Sequence, residues 1–188
     1  MGRGQKRCAV FLDRDGVLNR SHVRNGKPYA PRTLAEFRLL PGVARAVSDL
    51  KAAGYLVIVV TNQPDVGHGL ISSQTLEAMH ARLKRTVAVD DILVCPHRQD
   101  ADCACRKPKP GLLRRAIARW RIEPSGSVMI GDRWNDVVAG KKAGLYTAFV
   151  DRHYAEPLVE RPDLTVRSLP HAVAKILTLS AGKTDVMD

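Results

Sequence analysis

Two carboxylates lie two residues apart just after a short apolar run, in the segment Asp13-Arg14-Asp15-Gly16. Such a pair can divide the work of phosphoryl transfer, because one carboxylate attacks phosphorus while the other moves a proton to the leaving oxygen. We therefore predict Asp13 as the nucleophile and Asp15 as the general acid and base. Gly16, which has no Cβ, then allows a sharp turn. Taken alone, the segment is also compatible with a surface turn or a calcium loop.

Other polar residues follow later apolar runs. Thr61 comes after residues 55–60, and Asp132 comes just after residues 127–130. The carboxyl ends of parallel strands open onto one crevice, so these residues are expected to meet there. Clustered carboxylates repel one another and a phosphate, which calls for a hard cation, most simply Mg²⁺, with Asp132 as a further oxygen ligand. Thr61 and Lys107 are candidates for holding the phosphoryl group.

Alternation of short apolar runs with amphipathic stretches predicts an α/β fold, a three-layer, Rossmann-like parallel sheet with helices on both faces. The interval between Asp13 and Thr61 is too short for a large inserted cap domain beside the first strand–helix–strand unit. Residues 25–41 contain several prolines and form the longest irregular stretch, which makes them a candidate loop over the site. Predicted strands cover residues 8–12, 55–60, 91–94, 127–130, 147–150 and 164–166; predicted helices cover 43–53, 72–89, 110–121, the segment from the 131–133 turn to about 143, and 169–179.

Size and composition set the remaining bounds. A chain of 188 residues with 45% apolar content suits one domain over residues 1–188, with a basic N-terminal tail at 1–6 and a disordered C-terminal tail at 180–188. The longest apolar run has six residues, so no membrane span is expected, and we predict a cytoplasmic protein, as a monomer. The net charge of +11 calls for anionic partners: nucleic acid, acidic lipid or phosphorylated small molecules.

Four segments in this order resemble the motifs of haloacid dehalogenase superfamily phosphatases, and more narrowly those of the D,D-heptose 1,7-bisphosphate and histidinol-phosphate phosphatases. The resemblance spans roughly residues 8 to 150, and the order and spacing of the segments make it specific. The segments are Phe11-Leu12-Asp13-Arg14-Asp15-Gly16-Val17-Leu18-Asn19, Thr61-Asn62-Gln63, Cys105-Arg106-Lys107-Pro108-Lys109-Pro110-Gly111, and Gly131-Asp132-Arg133 with Asp136.

The resemblance implies a role for each matching residue. Asp13 would form an aspartyl-phosphate, and Asp15 would act first as general acid and then as base. Asp13, Asp132 and the carbonyl of Asp15 would hold Mg²⁺. Phosphoryl and substrate binding would fall to Asn19, Thr61, Asn62, Gln63, Arg106, Lys107 and Arg133.

The function that the resemblance implies is hydrolysis of the C7 phosphate of D-glycero-D-manno-heptose 1,7-bisphosphate, with heptose 1-phosphate as product. Phosphorylated small molecules are thus the expected partners, and nucleic acid is not. Histidinol phosphate is the nearest alternative substrate, and a polynucleotide 3′-phosphate is another. The non-enzyme alternative is a zinc-stabilised nucleic-acid-binding module with vestigial aspartates, although such a module has no reason to keep this ordered set of residues together.

Three thiols and one imidazole fall within eleven residues: Cys95, His97, Cys103 and Cys105. Four soft and borderline ligands suit tetrahedral Zn²⁺, and this phosphatase family carries the same arrangement just before its lysine motif. With all four protein positions filled, the zinc would be structural and would shape the loop 95–105 that precedes Arg106. The alternative is a group of surface thiols beside a chance histidine.

The positive charge is concentrated between residues 106 and 121, where seven Lys or Arg occur and no acidic residue does. On the predicted helix 110–121, Leu113 and Trp120 share the apolar face, so Arg114, Arg115 and Arg119 are expected to point outward as an ordinary solvated surface. The sequence shows no partner that would make a further histidine catalytic, and this applies to His22, His68, His80, His153 and His171.

Overall fold

A six-stranded parallel sheet organises residues 7–184, the part of the chain that the computed structural model describes. Its strands lie in the order β5-β4-β1-β6-β7-β8, and β2 and β3 form a separate antiparallel hairpin. The strands are β1 (Ala9–Leu12), β2 (His22–Arg24), β3 (Lys27–Tyr29), β4 (Leu56–Asn62), β5 (Asp91–Cys95), β6 (Val128–Gly131), β7 (Tyr146–Val150) and β8 (Leu164–Val166).

Helices cover both faces of the sheet. They are α1 (Val43–Ala52), α2 (Pro64–Gly67), α3 (Ser73–Thr86), α4 (Gly111–Trp120), α5 (Trp134–Lys142) and α6 (Leu169–Thr184). One core packs α1, α3 and α6 against the face of β1 that presents Val10 and Leu12. A second core packs α4 and α5 against the face that presents Ala9 and Phe11. Because successive side chains of a strand point to opposite faces, the four buried residues of β1 serve both cores.

The strand order creates a crevice at the end of β1. This strand pairs in parallel with β4 on one side, where Val10 lies opposite Val57, and with β6 on the other, where Val10 lies opposite Val128. From β1 the chain builds the sheet outward on one side, through β4 and β5. It then crosses back and builds the other side, through β6, β7 and β8, so the strand order reverses at β1. Ligands of open α/β sheets bind at such a point, which here lies just beyond Leu12.

The structure confirms the predicted α/β class and each predicted strand and helix, with ends shifted by a few residues. Three differences stand out. Part of the stretch 25–41, expected to be irregular, forms β3 of the hairpin. The short helix α2 follows β4, where no element was predicted. Helix α6 continues to Thr184, beyond residue 179, where the predicted helix ends. Residues 1–6 and 185–188 of the predicted tails lie outside the described residues.

Within residues 7–184, no helix is both long enough and apolar enough to cross a membrane. The same residues hold no large inserted cap: the hairpin, a connecting segment and α1 account for the chain between β1 and β4. The expected solvated face of α4 is also confirmed, since Arg114, Arg115 and Arg119 are exposed while Leu113 is buried. Trp120 is half-buried, and its indole N–H donates to Asp91 at 3.1 Å.

Candidate active site

A cavity of about 280 Å³ opens beyond the carboxyl ends of the central strands. The loops after β1, β4 and β6 supply much of its lining, together with the chain before α4 and the hairpin. This is the crevice that the strand order predicts. Seven of the predicted site residues line it: Asp13, Asp15, Asn62, Arg106, Lys107, Asp132 and Arg133.

Lys107 lies buried between two carboxylates at the base of this cavity. Its Nζ donates to Asp13 Oδ1 at 2.7 Å and to the carbonyl of Val60 at 2.7 Å, and it lies 2.6 Å from Asp136 Oδ1. Burial by itself lowers the pKa of this ammonium, but the charges of Asp13 and Asp136 outweigh it and raise the pKa. Lys107 is therefore a fixed positive charge beside the predicted nucleophile.

The carboxylates at this point are crowded and shielded from water. Burial raises the pKa of Asp13 to about 6, with Lys107 opposing the rise and Asp136 and Asp15 adding to it. Burial and repulsion from Asp13 and Asp136 also raise the pKa of Asp132. Because the crowding favours protonation, ionising the group needs further positive charge.

The donor set fits a hard divalent cation. Carboxylate oxygens of Asp13, Asp132 and Asp136 all lie within 4.8 Å of one another. Lys107 neutralises part of this charge, yet Asp132 Oδ1 is buried without a hydrogen-bond partner. Burying a carboxylate oxygen without a hydrogen-bond donor costs free energy, unless a bound cation replaces the missing donor. Asp13 and Asp132 therefore present the type of oxygen that Mg²⁺ prefers.

Asn62 fixes the backbone that carries Lys107. Its Nδ2 donates to the Lys107 carbonyl at 3.0 Å, and its Oδ1 accepts from the Lys107 amide at 3.1 Å. The two bonds join the end of β4 to the chain before α4, forty-five residues further along. The placement of the Lys107 side chain thus depends on a side chain that also lines the cavity.

Three of the predicted binding residues lie behind the cavity wall instead of on it. The side chains of Asn19, Thr61 and Gln63 are at most 1% exposed. Asn19 Nδ2 donates to Asp15 Oδ1 at 2.9 Å, and Gln63 Nε2 donates to Asp15 Oδ2 at 2.7 Å and to Thr61 Oγ1 at 2.8 Å. Asn19 and Gln63 are thus donors to Asp15, a contact that the expectation of direct substrate binding did not include.

The two predicted arginines differ in their surroundings. Arg106 lines the cavity, and its Nη1 is buried without a hydrogen-bond partner. Arg133 forms an ion pair with Glu156, in which its Nε lies 2.9 Å from Glu156 Oε2, and this pair stands at the edge of the cavity. Arg106 therefore offers an unpaired donor to an anion, whereas Arg133 already has an anionic partner.

The loop between β7 and β8, residues 151–163, reaches the site from beyond the motifs. Arg152 Nε donates to the carbonyl of Gly16 at 2.8 Å, and the Tyr154 hydroxyl donates to Asp132 Oδ2 at 2.8 Å. The amide of Ala155 donates to the carbonyl of Gly26 at 2.8 Å, which ties this loop to the β2–β3 hairpin. The resemblance ends near residue 150, so the sequence provided no signal for these contacts.

The predicted zinc ligands converge in the loop 95–105. Neighbouring ligand atoms lie 3.2–3.6 Å apart around the group: Cys95 Sγ to His97 Nδ1, His97 Nδ1 to Cys105 Sγ, Cys105 Sγ to Cys103 Sγ, and Cys103 Sγ to Cys95 Sγ. Tetrahedral Zn²⁺ with bonds of about 2.0–2.3 Å separates its ligands by roughly 3.5 Å. The four side chains therefore fit zinc.

A family model described as haloacid dehalogenase-like hydrolase matches residues 20–144. The match covers more than half of the chain, so the chain belongs to the haloacid dehalogenase-like hydrolases, the class that the motifs and the parallel sheet predict. The predicted enzyme class is thereby confirmed, and the non-enzyme alternative is set aside.

Among the haloacid dehalogenase-like hydrolases, the chain is similar to phosphatases of heptose bisphosphates. The chain is 38% identical over 164 residues to the D-glycero-beta-D-manno-heptose-1,7-bisphosphate 7-phosphatase of Pseudomonas putida, covering 84% of this chain and 91% of that protein. It is 41% identical to the Pasteurella multocida enzyme of the same name, over 72% of this chain and 76% of that protein. It is 40% identical to the D-glycero-alpha-D-manno-heptose-1,7-bisphosphate 7-phosphatase of Mycobacterium tuberculosis, over 71% of each.

A solved structure agrees with these relatives. The D,D-heptose 1,7-bisphosphate phosphatase of B. bronchiseptica, complexed with magnesium and phosphate, superposes with a TM-score of 0.81 at 30% identity. The superposition covers 92% of this chain and 99% of that one. The resemblance to this group of phosphatases, drawn from the motifs, is confirmed.

Proposed function

We propose that this chain is a Mg²⁺-dependent phosphatase that releases the C7 phosphate of D-glycero-D-manno-heptose 1,7-bisphosphate through an aspartyl-phosphate on Asp13. The observation that carries the proposal is the pairing of buried Asp13 with Lys107, whose Nζ lies 2.7 Å from Asp13 Oδ1 at the base of the cavity. A phosphate that reaches Asp13 also meets this ammonium. The names of the relatives support the substrate.

In the first step a carboxylate oxygen of Asp13 attacks phosphorus, and the bond between phosphorus and the C7 oxygen breaks. Protonated Asp15 gives its proton to that oxygen, so the sugar leaves as an alcohol. In the second step Asp15 removes a proton from water, and the resulting hydroxide attacks the phosphorus of the aspartyl-phosphate. The bond from phosphorus to Asp13 breaks, and inorganic phosphate leaves.

Several residues stabilise the phosphoryl group during both steps. Lys107 offsets the charge on its oxygens. Thr61 lies behind the cavity wall, and its hydroxyl accepts from Gln63 Nε2, so its part in the reaction would be to hold Gln63 beside Asp15. Asp13 and Asp132, with the carbonyl of Asp15, would hold Mg²⁺. Bound there, the cation would neutralise charge on the phosphoryl oxygens and lower the pKa values of the carboxyl groups.

The second phosphate of the substrate needs a separate positive group. Arg106 is the best candidate, because its Nη1 is buried without a partner on the cavity wall. Asn62 holds the adjoining backbone in place, and Arg133 stands at the edge of the site with Glu156. Without a large cap, the hairpin and the loop 151–163 would limit the access of water.

Zn²⁺ would be held by Cys95, His97, Cys103 and Cys105. All four positions are protein ligands, so the ion would stabilise the loop that ends at Arg106 and would take no part in the reaction. Zinc binding needs these cysteines as reduced thiols, and thiols stay reduced in the cytoplasm, which supports the expected cytoplasmic location. We further propose that the protein acts as one domain and as a monomer.

Replacing the nucleophile tests the mechanism. Asp13→Asn removes the attacking oxygen anion but keeps the size of the side chain, so phosphate release should fall by about a thousandfold or more. The thermal unfolding temperature and zinc content should remain close to those of the wild type. Asp49→Asn, a similar change on the exposed side of α1, is the control and should leave turnover unchanged. Turnover by Asp13→Asn would exclude the aspartyl-phosphate.

The substrate is tested by the ratio of kcat/KM values for a panel of phosphates. The panel contains both anomers of heptose 1,7-bisphosphate, histidinol phosphate and a 3′-phosphorylated oligonucleotide. We expect the highest kcat/KM for one of the heptose anomers. A preference for histidinol phosphate or the oligonucleotide would keep the chemistry and overturn the proposed substrate.

A further inference from the structure

The Asp15 carboxylate is held by side chains that lie below the cavity floor. Arg14 donates to it through Nε, 3.1 Å from Oδ1, and through Nη2, 2.9 Å from each oxygen. Asn19 and Gln63 donate to the two oxygens from other directions. A carboxylate has about four lone-pair positions, so these donors fix its orientation almost completely. Arg14 therefore sets the orientation of Asp15 together with Asn19 and Gln63.

Arg14 is an unusual partner because its side chain is fully buried. A guanidinium has five N–H donors, and in the absence of water each one needs an acceptor within the protein. Asp15 accepts hydrogen bonds from the edge of the Arg14 guanidinium that carries Nε and Nη2. The Phe37 ring lies 5.5 Å from the guanidinium carbon and supports its face. The other edge points to α3, where Arg14 Nη1 lies 3.2 Å from His80 Nε2.

The contact defines the state of His80. Arginine can only donate, so Nε2 must be the acceptor, and the ring proton lies on Nδ1. Burial, assisted by the charge of Arg14, lowers the pKa of His80 to about 4. The imidazole is therefore neutral at neutral pH, as an acceptor for Arg14 has to be.

We propose that His80 is a positioning residue for proton transfer: its Nε2 turns Arg14 so that the guanidinium presents two N–H groups to Asp15. The inference rests on the proposed role of Asp15 as general acid and base. His80 lies on α3, sixty-six residues from Arg14, and is not among the residues that line the cavity. It would act on the reaction only through Arg14.

The test compares two leaving groups. A sugar alkoxide needs a proton as it leaves, whereas p-nitrophenolate leaves readily without one. kcat/KM reports only the steps up to alcohol release, so it isolates the acid step from the later hydrolysis of the aspartyl-phosphate. In His80→Leu we expect kcat/KM for heptose 1,7-bisphosphate to fall about tenfold and that for p-nitrophenyl phosphate to fall less than about twofold, since general acids contribute about a hundredfold or more in total.

Conservative variants separate positioning from packing. His80→Gln keeps an acceptor near the place of Nε2 and should restore most of the lost kcat/KM. Met79→Leu changes a buried apolar neighbour on α3 and keeps the His80 acceptor, so it should leave kcat/KM for both substrates unchanged. Should His80→Leu fail to fold, His80→Asn provides the same comparison, because its shorter amide stays polar but cannot reach Arg14.

The possible results distinguish failure of the inference from failure of the proposed function. Equal losses on both substrates, unchanged kcat/KM on both, or a His80→Gln enzyme as slow as His80→Leu would overturn the inference and leave the proposed function intact. A wild-type protein that hydrolyses neither phosphate would overturn the proposed function itself.

Discussion

At the scale of single residues, the site brings together carboxylates that repel one another, and only a few neighbouring groups offset that repulsion. Asp13, Asp132 and Asp136 lie within 4.8 Å of one another, and Lys107 compensates two of them directly. Asp132 instead receives a hydrogen bond from Tyr154 on one oxygen and has nothing on the other. This asymmetry leaves Oδ1 of Asp132 available to a cation.

Tyr154 should therefore tune metal affinity. In Tyr154→Phe the Asp132 carboxylate loses the hydrogen bond that orients it, and we expect Mg²⁺ binding to weaken about tenfold, within the range typical of groups that orient metal ligands. The measurement is a Mg²⁺ titration by calorimetry, followed by the Mg²⁺ dependence of kcat. Tyr146→Phe removes a hydroxyl that donates to the Asp163 carbonyl and is not among the contacts of Asp13 or Asp132, so it serves as the control. Unchanged Mg²⁺ affinity in Tyr154→Phe would contradict the orienting role.

At the scale of elements, loops hold the site together. The chain before α4 depends on the four-ligand loop 95–105, and Gly111 at the start of α4 is so close to the Ala104 carbonyl that a Cβ there would lie 2.1 Å from it. Any disorder of this loop would therefore displace Arg106 and Lys107. The hairpin and the loop 151–163 are tied to each other in the same way, through Gly26 and Ala155.

Loss of zinc should consequently damage the reaction at a distance. Cys103→Ser removes one thiolate, so we expect a lower zinc content, a lower unfolding temperature and a kcat/KM reduced about tenfold or more through misplaced Arg106 and Lys107. Zinc is measured by atomic emission spectrometry on the purified protein. Cys8→Ser, outside the loop, is the matched control. A Cys103→Ser protein with full zinc and normal stability would disprove the structural site.

At the scale of the whole molecule, the sheet order and the net charge act together. The switch of direction at β1 collects the loops after three neighbouring strands into one cavity. The net charge of +11 gives the molecule as a whole a positive field, although carboxylates crowd the base of this cavity. Anions are drawn to the molecule as a whole, and the local groups then select among them.

This charge predicts a dependence on ionic strength. Between about 0.05 and 0.5 M NaCl, kcat/KM for a bisphosphate should fall about three- to tenfold, because salt screens the attraction. A monophosphate carries less charge, so its kcat/KM should fall less, while kcat stays nearly constant for both. The measurement is a set of progress curves at several NaCl concentrations. Identical slopes for the two substrates would show that net charge has no part in substrate capture.

Local patterns were enough to predict the elements and the chemistry. Residues 56–60 of β4 are apolar throughout because both faces of the sheet are covered, and that pattern predicts a central parallel strand. The hairpin also had a local signal that the prediction did not use: Asn25 and Gly26 both adopt positive φ, the turn for which Asn-Gly is the strongest short-range marker.

The sequence by itself determined the order of the strands and helices along the chain, the carboxylate pair, the lysine and the cluster of three cysteines and one histidine, because periodicity and spacing are local properties. Only the tertiary structure decided which groups surround them. His80 meets Arg14 across sixty-six residues, and Tyr154 meets Asp132 from a loop beyond the motifs. Asn19 and Gln63 likewise turn toward Asp15. Such contacts depend on how the chain packs after its elements form, and no spacing along the chain encodes them.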